Sequence, residues 1–332
     1  MRLVPVRRPA IGVSVGSKAL SLVEISRNWR PGRTRRWLGW SVRRCVEQAL
    51  PPGLIRPSAT DSNVSDPAAL TRELSTLVDS AGKVARPVSI ALALPDLCAR
   101  VALLEFESLP KKPAEREQLI RWRFHKELNV PAGETRLAYR ALPHLASSPS
   151  RGEERGAGGI RLLAAVIRRT IIEQYEQACQ AAGLIPVSVS LASFGLFDLY
   201  RPVMESAVTE GEECFFLHAG GDCLSFVAVR AGLPVFFRTK ALRNGSANGN
   251  GEAVAQEVLA TLQFYRDSHA GWLTQAPAPL FLLGSRTDLP LPDSMNVRVV
   301  PMGWEQAGIA AAGEPASLPL TGLPALAGVQ GA

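Results

Sequence analysis

No apolar run among the 332 residues is long enough to cross a bilayer, which excludes a helical membrane span within them. The opening MRLVPVRRPA is basic, but no apolar core follows it, so no secretory leader is expected. Cysteine is scarce: Cys45, Cys98, Cys179, Cys214 and Cys223 are an odd number, form no CxxC pair, and lie far in sequence from the four histidines. This argues against a disulfide framework or a metal site and fits buried, reduced thiols in a cytoplasmic protein. Aromatic residues make up only 6% of the chain, yet three of the six tryptophans fall in one short stretch.

That stretch is RNWRPGRTRRWLGWSVRR (27–44), where seven arginines surround Trp29, Trp37 and Trp40 in a chain of net charge +7. An exposed hairpin with its arginines in water, an anionic lipid surface and a nucleic acid would each suit this composition. Of the two ligands the membrane surface is preferred, because no nucleic-acid module is visible elsewhere and no nucleic acid is expected as a partner. The candidate surface contacts are Arg33, Arg35, Arg36, Trp37 and Trp40.

The length suits two domains or one bilobal unit. The first unit reads as strands at 10–16, 19–26 and near 37–45, then a helix that Asp66 caps, Pro67 starts and Gly82 ends. Val88–Leu94 is apolar enough for a strand buried on both faces. Residues 96–167 read as an insertion with its own small sheet. It holds strands near 101–106, 135–142 and 160–167 and a helix over 113–128 whose buried side is expected to be Leu119, Ile120, Trp122 and Leu128. A helix over 169–182, a strand over 184–190 and a helix near 193–204 complete the half. The second half repeats the pattern with strands at 214–219, 222–230 and 233–239, a helix over 252–269, and strands at 279–284 and 296–300. From Ala307 onward the Ala, Gly and Pro content suggests a short helix and a frayed tail. The expected domains are 1–95 with 168–207 as one lobe, 96–167 as an inserted subdomain, and 208–332 as a second lobe with a flexible C-terminal tail.

An internal repeat carries the functional argument. VGSKALSLVEI (15–25) aligns with AGGDCLSFVAV (219–229), so that Gly16 matches Gly220, Leu20 matches Leu224, Ser21 matches Ser225 and Val23 matches Val227. Each copy opens a β-β-β-α-β run. Two such ribonuclease H-like units facing a cleft describe an actin-like ATPase fold, an α/β architecture in which paired hairpin turns grip phosphates from both sides. Glycine-rich turns suit that task because backbone N–H groups converge on an anion. Magnesium also needs carboxylate oxygen nearby. The strand-end positions hold Ser14 and His218 instead, while Asp222 sits elsewhere in its turn and Lys18 remains to neutralise a phosphate. Both turns are also compatible with ordinary hairpin tips.

Several stretches resemble the PilM family, the actin-like cytoplasmic proteins of type IV pilus assembly: IGVSVGSKALSLVEI (11–25), PAEREQLIRWRFHKELNVPAGE (113–134), EVLATLQFYRDSHAG (257–271) and LFLLGSRTDLP (280–290). The resemblance implies ATP and Mg²⁺ as cofactors, with Gly16, Ser17, Lys18, Gly220, Gly221, Asp222, Gly284 and Ser285 at the nucleotide cleft. It also departs from the family, which has aspartates where Ser14 and His218 stand and a glycine pair in the turn holding Gly284 and Ser285. What it implies is a scaffold peripheral to the inner membrane with a degenerate cleft, weak or absent ATP hydrolysis and no catalytic residue. Its partners would be the N-terminal tail of a PilN-like membrane protein, held between core and insertion, and other platform or motor proteins. An active ATPase or sugar kinase of the same fold, or the cytoplasmic L-type component of type II secretion, is the competing reading. A kinase would need an acidic base and magnesium-handling aspartates.

Overall fold

The computed structural model describes residues 9–30, 36–82, 84–128, 134–143, 159–209, 212–242, 251–268, 277–284, 289–307, 310–311 and 318–331. Three antiparallel strands begin the first unit: β1 (Ile11–Val15), β2 (Ala19–Arg30) and β3 (Arg36–Ala49). Helix α1 (Pro67–Ser80) starts where expected, because the Asp66 carboxylate accepts from the Ala69 N–H at 2.9 Å and Pro67 fixes the first helical φ. Leu70, Leu74, Leu77 and Val78 recur at helical spacing and all are buried. Strand β4 (Val88–Leu94) then runs parallel to β1.

The insertion forms a separate antiparallel sheet. It comprises β5 (Ala99–Phe106), helix α2 (Pro113–Leu128), β6 (Thr135–Leu142) and β7 (Ile160–Arg168), with strand order β5-β7-β6. The buried side of α2 differs from the expectation. Ile120 and Phe124, one turn apart, seat the helix on the sheet and Leu119 packs at the edge of that core, whereas Trp122 and Leu128 are exposed. Residues two positions apart lie about 200° apart around an α-helix, so burying Ile120 turns Trp122 outward. The indole is covered instead by Lys126, whose ammonium lies 5.1 Å from the ring centre.

Helix α3 (Arg169–Ala181), strand β8 (Leu184–Leu191) and helix α4 (Ala192–Ser206) complete the first unit. The second runs through β9 (Glu213–Gly220), β10 (Cys223–Arg230), β11 (Leu233–Ala241), α5 (Gly251–Ser268), β12 (Ala278–Gly284), β13 (Val297–Met302), the two-residue β14 (Ala310–Ala311) and α6 (Leu323–Gly331). The sheet orders are β3-β2-β1-β4-β8, extended by β14, and β11-β10-β9-β12-β13. Both sheets follow the same pattern of two antiparallel and two parallel pairings. The hairpins also share one register: Ser14 faces Ser21 and Val15 faces Leu20, while His218 faces Ser225 and Ala219 faces Leu224. The repeat seen in the sequence is therefore a repeat of structure.

Three apolar layers hold the units together. Helices α1 and α3 cover the outer face of the first sheet, and α5 covers the outer face of the second. Between the inner faces lie α4 and α6, in one continuous core with Val23 and Ala91 of the first sheet and Phe216, Val227 and Phe281 of the second. The short helix expected past Ala307 is α6, but it packs against α4, β1 and β4 in this central core rather than forming part of a flexible tail. Leu323, Leu326 and Val329 are fully buried, and each such side chain contributes about 1.5–3 kcal/mol. Small residues let α6 approach this closely: a Cβ on Gly12 would lie 1.9 Å from the Ala325 carbonyl oxygen. Composition alone does not distinguish a small-residue tail from a helix that needs small residues in order to pack.

Candidate functional site: a cleft and a groove

The two hairpin turns meet between the lobes, around a cavity of about 270 Å³. Gly16, Ser17, Lys18, Gly220, Gly221, Asp222 and Gly284 all line it, together with Ser14 and His218; Ser285 lies outside the described residues. The turns touch each other. Lys18 Nζ stands 3.6 Å from Asp222 Oδ1, and a Cβ on Gly221 would come within 3.3 Å of Ser17 Oγ. Gly221 adopts φ 61°, a conformation glycine takes without penalty.

The sequence reading missed the acid in this cleft. Asp96, in a short turn after β4, is 2% exposed. Its Oδ1 accepts from the Ser193 N–H at 3.0 Å. Its Oδ2 accepts from the Ser193 hydroxyl and from Ser225 Oγ at 2.9 Å, and lies 3.7 Å from His218 Nδ1. His218 Nδ1 is in turn 3.2 Å from Ser193 Oγ, and Ser225 Oγ is 3.0 Å from Thr239 Oγ1. Burial pushes the Asp96 carboxyl upward, but the neighbouring His218 and the Ser193 hydrogen bonds outweigh it and hold the group below its ordinary value. One signal was available in the sequence. Pro95-Asp96 follows the C-terminal end of a buried parallel strand, where open α/β sheets place their ligands.

These residues do not fit a magnesium–nucleotide complex. The positions that would supply carboxylates hold a hydroxyl and an imidazole, and the oxygens of the buried acid already accept three protein hydrogen bonds. Among the described residues no cluster of three or more His, Cys, Asp or Glu side chains has metal-binding geometry. The buried thiols are similarly inert: burial pushes Cys98, Cys179 and Cys214 up to about 12, with the same direction for Cys223.

A second concavity, of about 410 Å³, runs between the insertion and the core. Its walls are β6 and β8, each the outermost strand of its sheet. Leu137 and Tyr139 line it from β6, Val189 from β8, and Leu163, Ile172, Phe194 and Phe197 give it an apolar floor. Arg140 and Asp198 bridge it at 3.7 Å. On β8 itself Ile185 and Val187 are 43% and 40% exposed.

The described part of the basic tryptophan segment lies on β2 and β3, in a register that sets Trp29 opposite Trp37 and Arg30 opposite Arg36. Arg33 and Arg35 lie outside the described residues. Trp40 is half-buried against the central core, so packing accounts for part of its apolar surface. No described helix is long and apolar enough to cross a membrane.

Two facing ribonuclease H-like units, matched in strand order and hairpin register, with an inserted subdomain and a central cleft, define an actin-like ATPase fold. Among solved structures, the chain is similar to a chain of the PilM–PilN type IV pilus biogenesis complex, with a TM-score of 0.71, 22% identity, and 98% of this chain and 97% of that one covered. It also matches a Bacteroides thetaiotaomicron protein with an actin-like ATPase fold and unknown function (TM-score 0.46, 10% identity, covering 89% and 91%). A third match is the cytoplasmic domain of EpsL, an inner membrane component of the Vibrio cholerae type II secretion system (TM-score 0.45, 10% identity, covering 90% and 91%). No protein-family model matches the chain, and no curated protein sequence does either.

Proposed function

We propose that this protein is a scaffold of a type IV pilus, or a related secretion, assembly platform at the inner membrane, and that it binds the N-terminal tail of a PilN-like membrane protein. The groove between β6 and β8 carries this reading: two outermost strands face an apolar channel in a fold shared along nearly its whole length with a chain of the PilM–PilN complex. An extended tail gains main-chain hydrogen bonds by pairing with an edge strand and places alternate side chains in the apolar floor. The cleft is a degenerate nucleotide site in this reading, and other platform or motor proteins are further partners. The protein sits on the cytoplasmic side of the membrane, with the arginine-rich stretch between β2 and β3 toward anionic lipid.

The test is titration with a synthetic N-terminal peptide of a PilN-like protein from a neighbouring gene. Binding that is lost in Leu137→Glu and Val189→Glu, one on each wall, supports the groove. Unchanged affinity in both variants refutes it. Binding to anionic liposomes should weaken when Arg33, Arg35 and Arg36 are reversed to glutamate, and unchanged binding removes the lipid contact.

A further inference from the structure

Buried hydrogen-bond donors without acceptors are costly. In this protein donors from both units converge on one internal carboxylate, while the Ser17 hydroxyl in the first turn has no hydrogen-bond partner among the described residues. The first unit supplies the backbone N–H and hydroxyl of Ser193, in the first turn of the 15-residue helix α4. The second supplies the Ser225 hydroxyl from β10 and the His218 imidazole from β9. A helix N-terminus and two hydroxyls form a donor set that recognises a small oxyanion, and the His218 imidazole stands 3.7 Å from it while contacting the Ser193 hydroxyl at 3.2 Å. Here that oxyanion is a side chain of the protein.

We propose that the Asp96 carboxylate is the chain's built-in substitute for a bound anion, joining the two lobes across the cleft so that they stay closed without nucleotide or magnesium. Several observations support this. Asp96 is rooted at the end of β4 in the first unit, yet it accepts from Ser225 in the second, so the contact spans the lobes. Ser225 is the repeat counterpart of Ser21, and His218 is the counterpart of Ser14. The second hairpin thus presents its hydroxyl and imidazole to a carboxylate supplied by the first unit. Lys18, the cation suited to a phosphate, is drawn to Asp222 on the opposite turn.

Chemical rescue tests the proposal on the full chain. Replacing Asp96 with glycine (Asp96→Gly) leaves the donor set facing a space the size of acetate or formate. The variant should melt about 5 °C or more below the unaltered protein, since several buried donors lose their acceptor. Sodium formate or acetate, compared with chloride at equal ionic strength, should restore much of that loss in the variant and leave the unaltered protein unchanged. Mg-ATP should not raise the melting point of the unaltered protein. Should Asp96→Gly fail to fold, Asp96→Asn keeps the shape and removes the charge. It should lower the melting point and speed hydrogen exchange in the turns at 14–18 and 218–222. An Asn variant as stable and protected as the original, an equal response of both proteins to formate, or a melting point raised by Mg-ATP would each overturn the proposal.

Discussion

Lys18 of the first hairpin turn and Asp222 of the second stand 3.6 Å apart across the cleft, so the two turns meet through a pair of opposite charges. Both side chains are partly exposed, at 50% and 34%, and solvent screens such a pair. A double-mutant cycle of Lys18→Ala and Asp222→Ala, read by urea unfolding, should give a coupling of less than about 1 kcal/mol that shrinks with added salt. A larger, salt-independent coupling would mean that the pair holds the lobes together.

Acid stability should depend on Asp96. Its carboxyl lies below the ordinary value of 3.8 because His218 and Ser193 outweigh the effect of burial. A carboxyl depressed in the folded state contributes stability that is full above the ordinary value and is lost as pH falls through the lower, folded one. The stability gap between the unaltered protein and Asp96→Asn should therefore be wide at neutral pH and narrow as the pH falls below about 4. Denaturant unfolding across pH measures it, and a gap that does not change with pH would contradict the assignment.

The place of α6 in the central core makes Gly12 critical. A methyl group there meets the Ala325 backbone, which cannot move aside as a flexible side chain could. Gly12→Ala should cost about 3 kcal/mol or more and speed amide exchange throughout 323–331. A neutral substitution would show that the helix docks elsewhere.

The orientation of α2 can be tested with two substitutions. Phe124→Ala removes a buried ring and should cost about 3–5 kcal/mol, whereas Trp122→Gln on the exposed side should cost less than about 1 kcal/mol. Thermal melts of both variants decide the matter, and a reversed order would restore the orientation expected from the sequence.

Much of this architecture was legible because it rests on local rules. Asp66, Pro67 and Gly82 bracket α1, and the matched hairpins expose the duplication before any coordinate is known. What was not legible depends on contacts between distant segments. Trp122 looks like a core residue until Ile120 and Phe124 set the helix rotation. The α6 segment looks like a tail until Gly12 leaves room for it on β1. Asp96 stands outside the repeat, and only the fold brings it to Ser193, Ser225 and His218. The cleft-lining turns were found by alignment, whereas the charged group at its centre needed the three-dimensional arrangement.

Cys98, Cys179, Cys214 and Cys223 are buried and Cys45 is half-buried, which bears on their reactivity. Burial pushes Cys45, Cys98, Cys179 and Cys214 up to about 12 and Cys223 in the same direction, so almost no thiolate is present near neutral pH. A thiol reagent at pH 8 should label the native protein slowly and all five cysteines after unfolding in guanidinium. Rapid labelling of the native protein would contradict the burial of these thiols.

The most direct measurement is calorimetric titration of the full chain with the N-terminal peptide of a PilN-like protein, with and without Mg-ATP. The account predicts saturable binding with the same Kd in both conditions and no heat of binding for Mg-ATP alone. Absence of peptide binding, or binding that appears only with Mg-ATP, would contradict it.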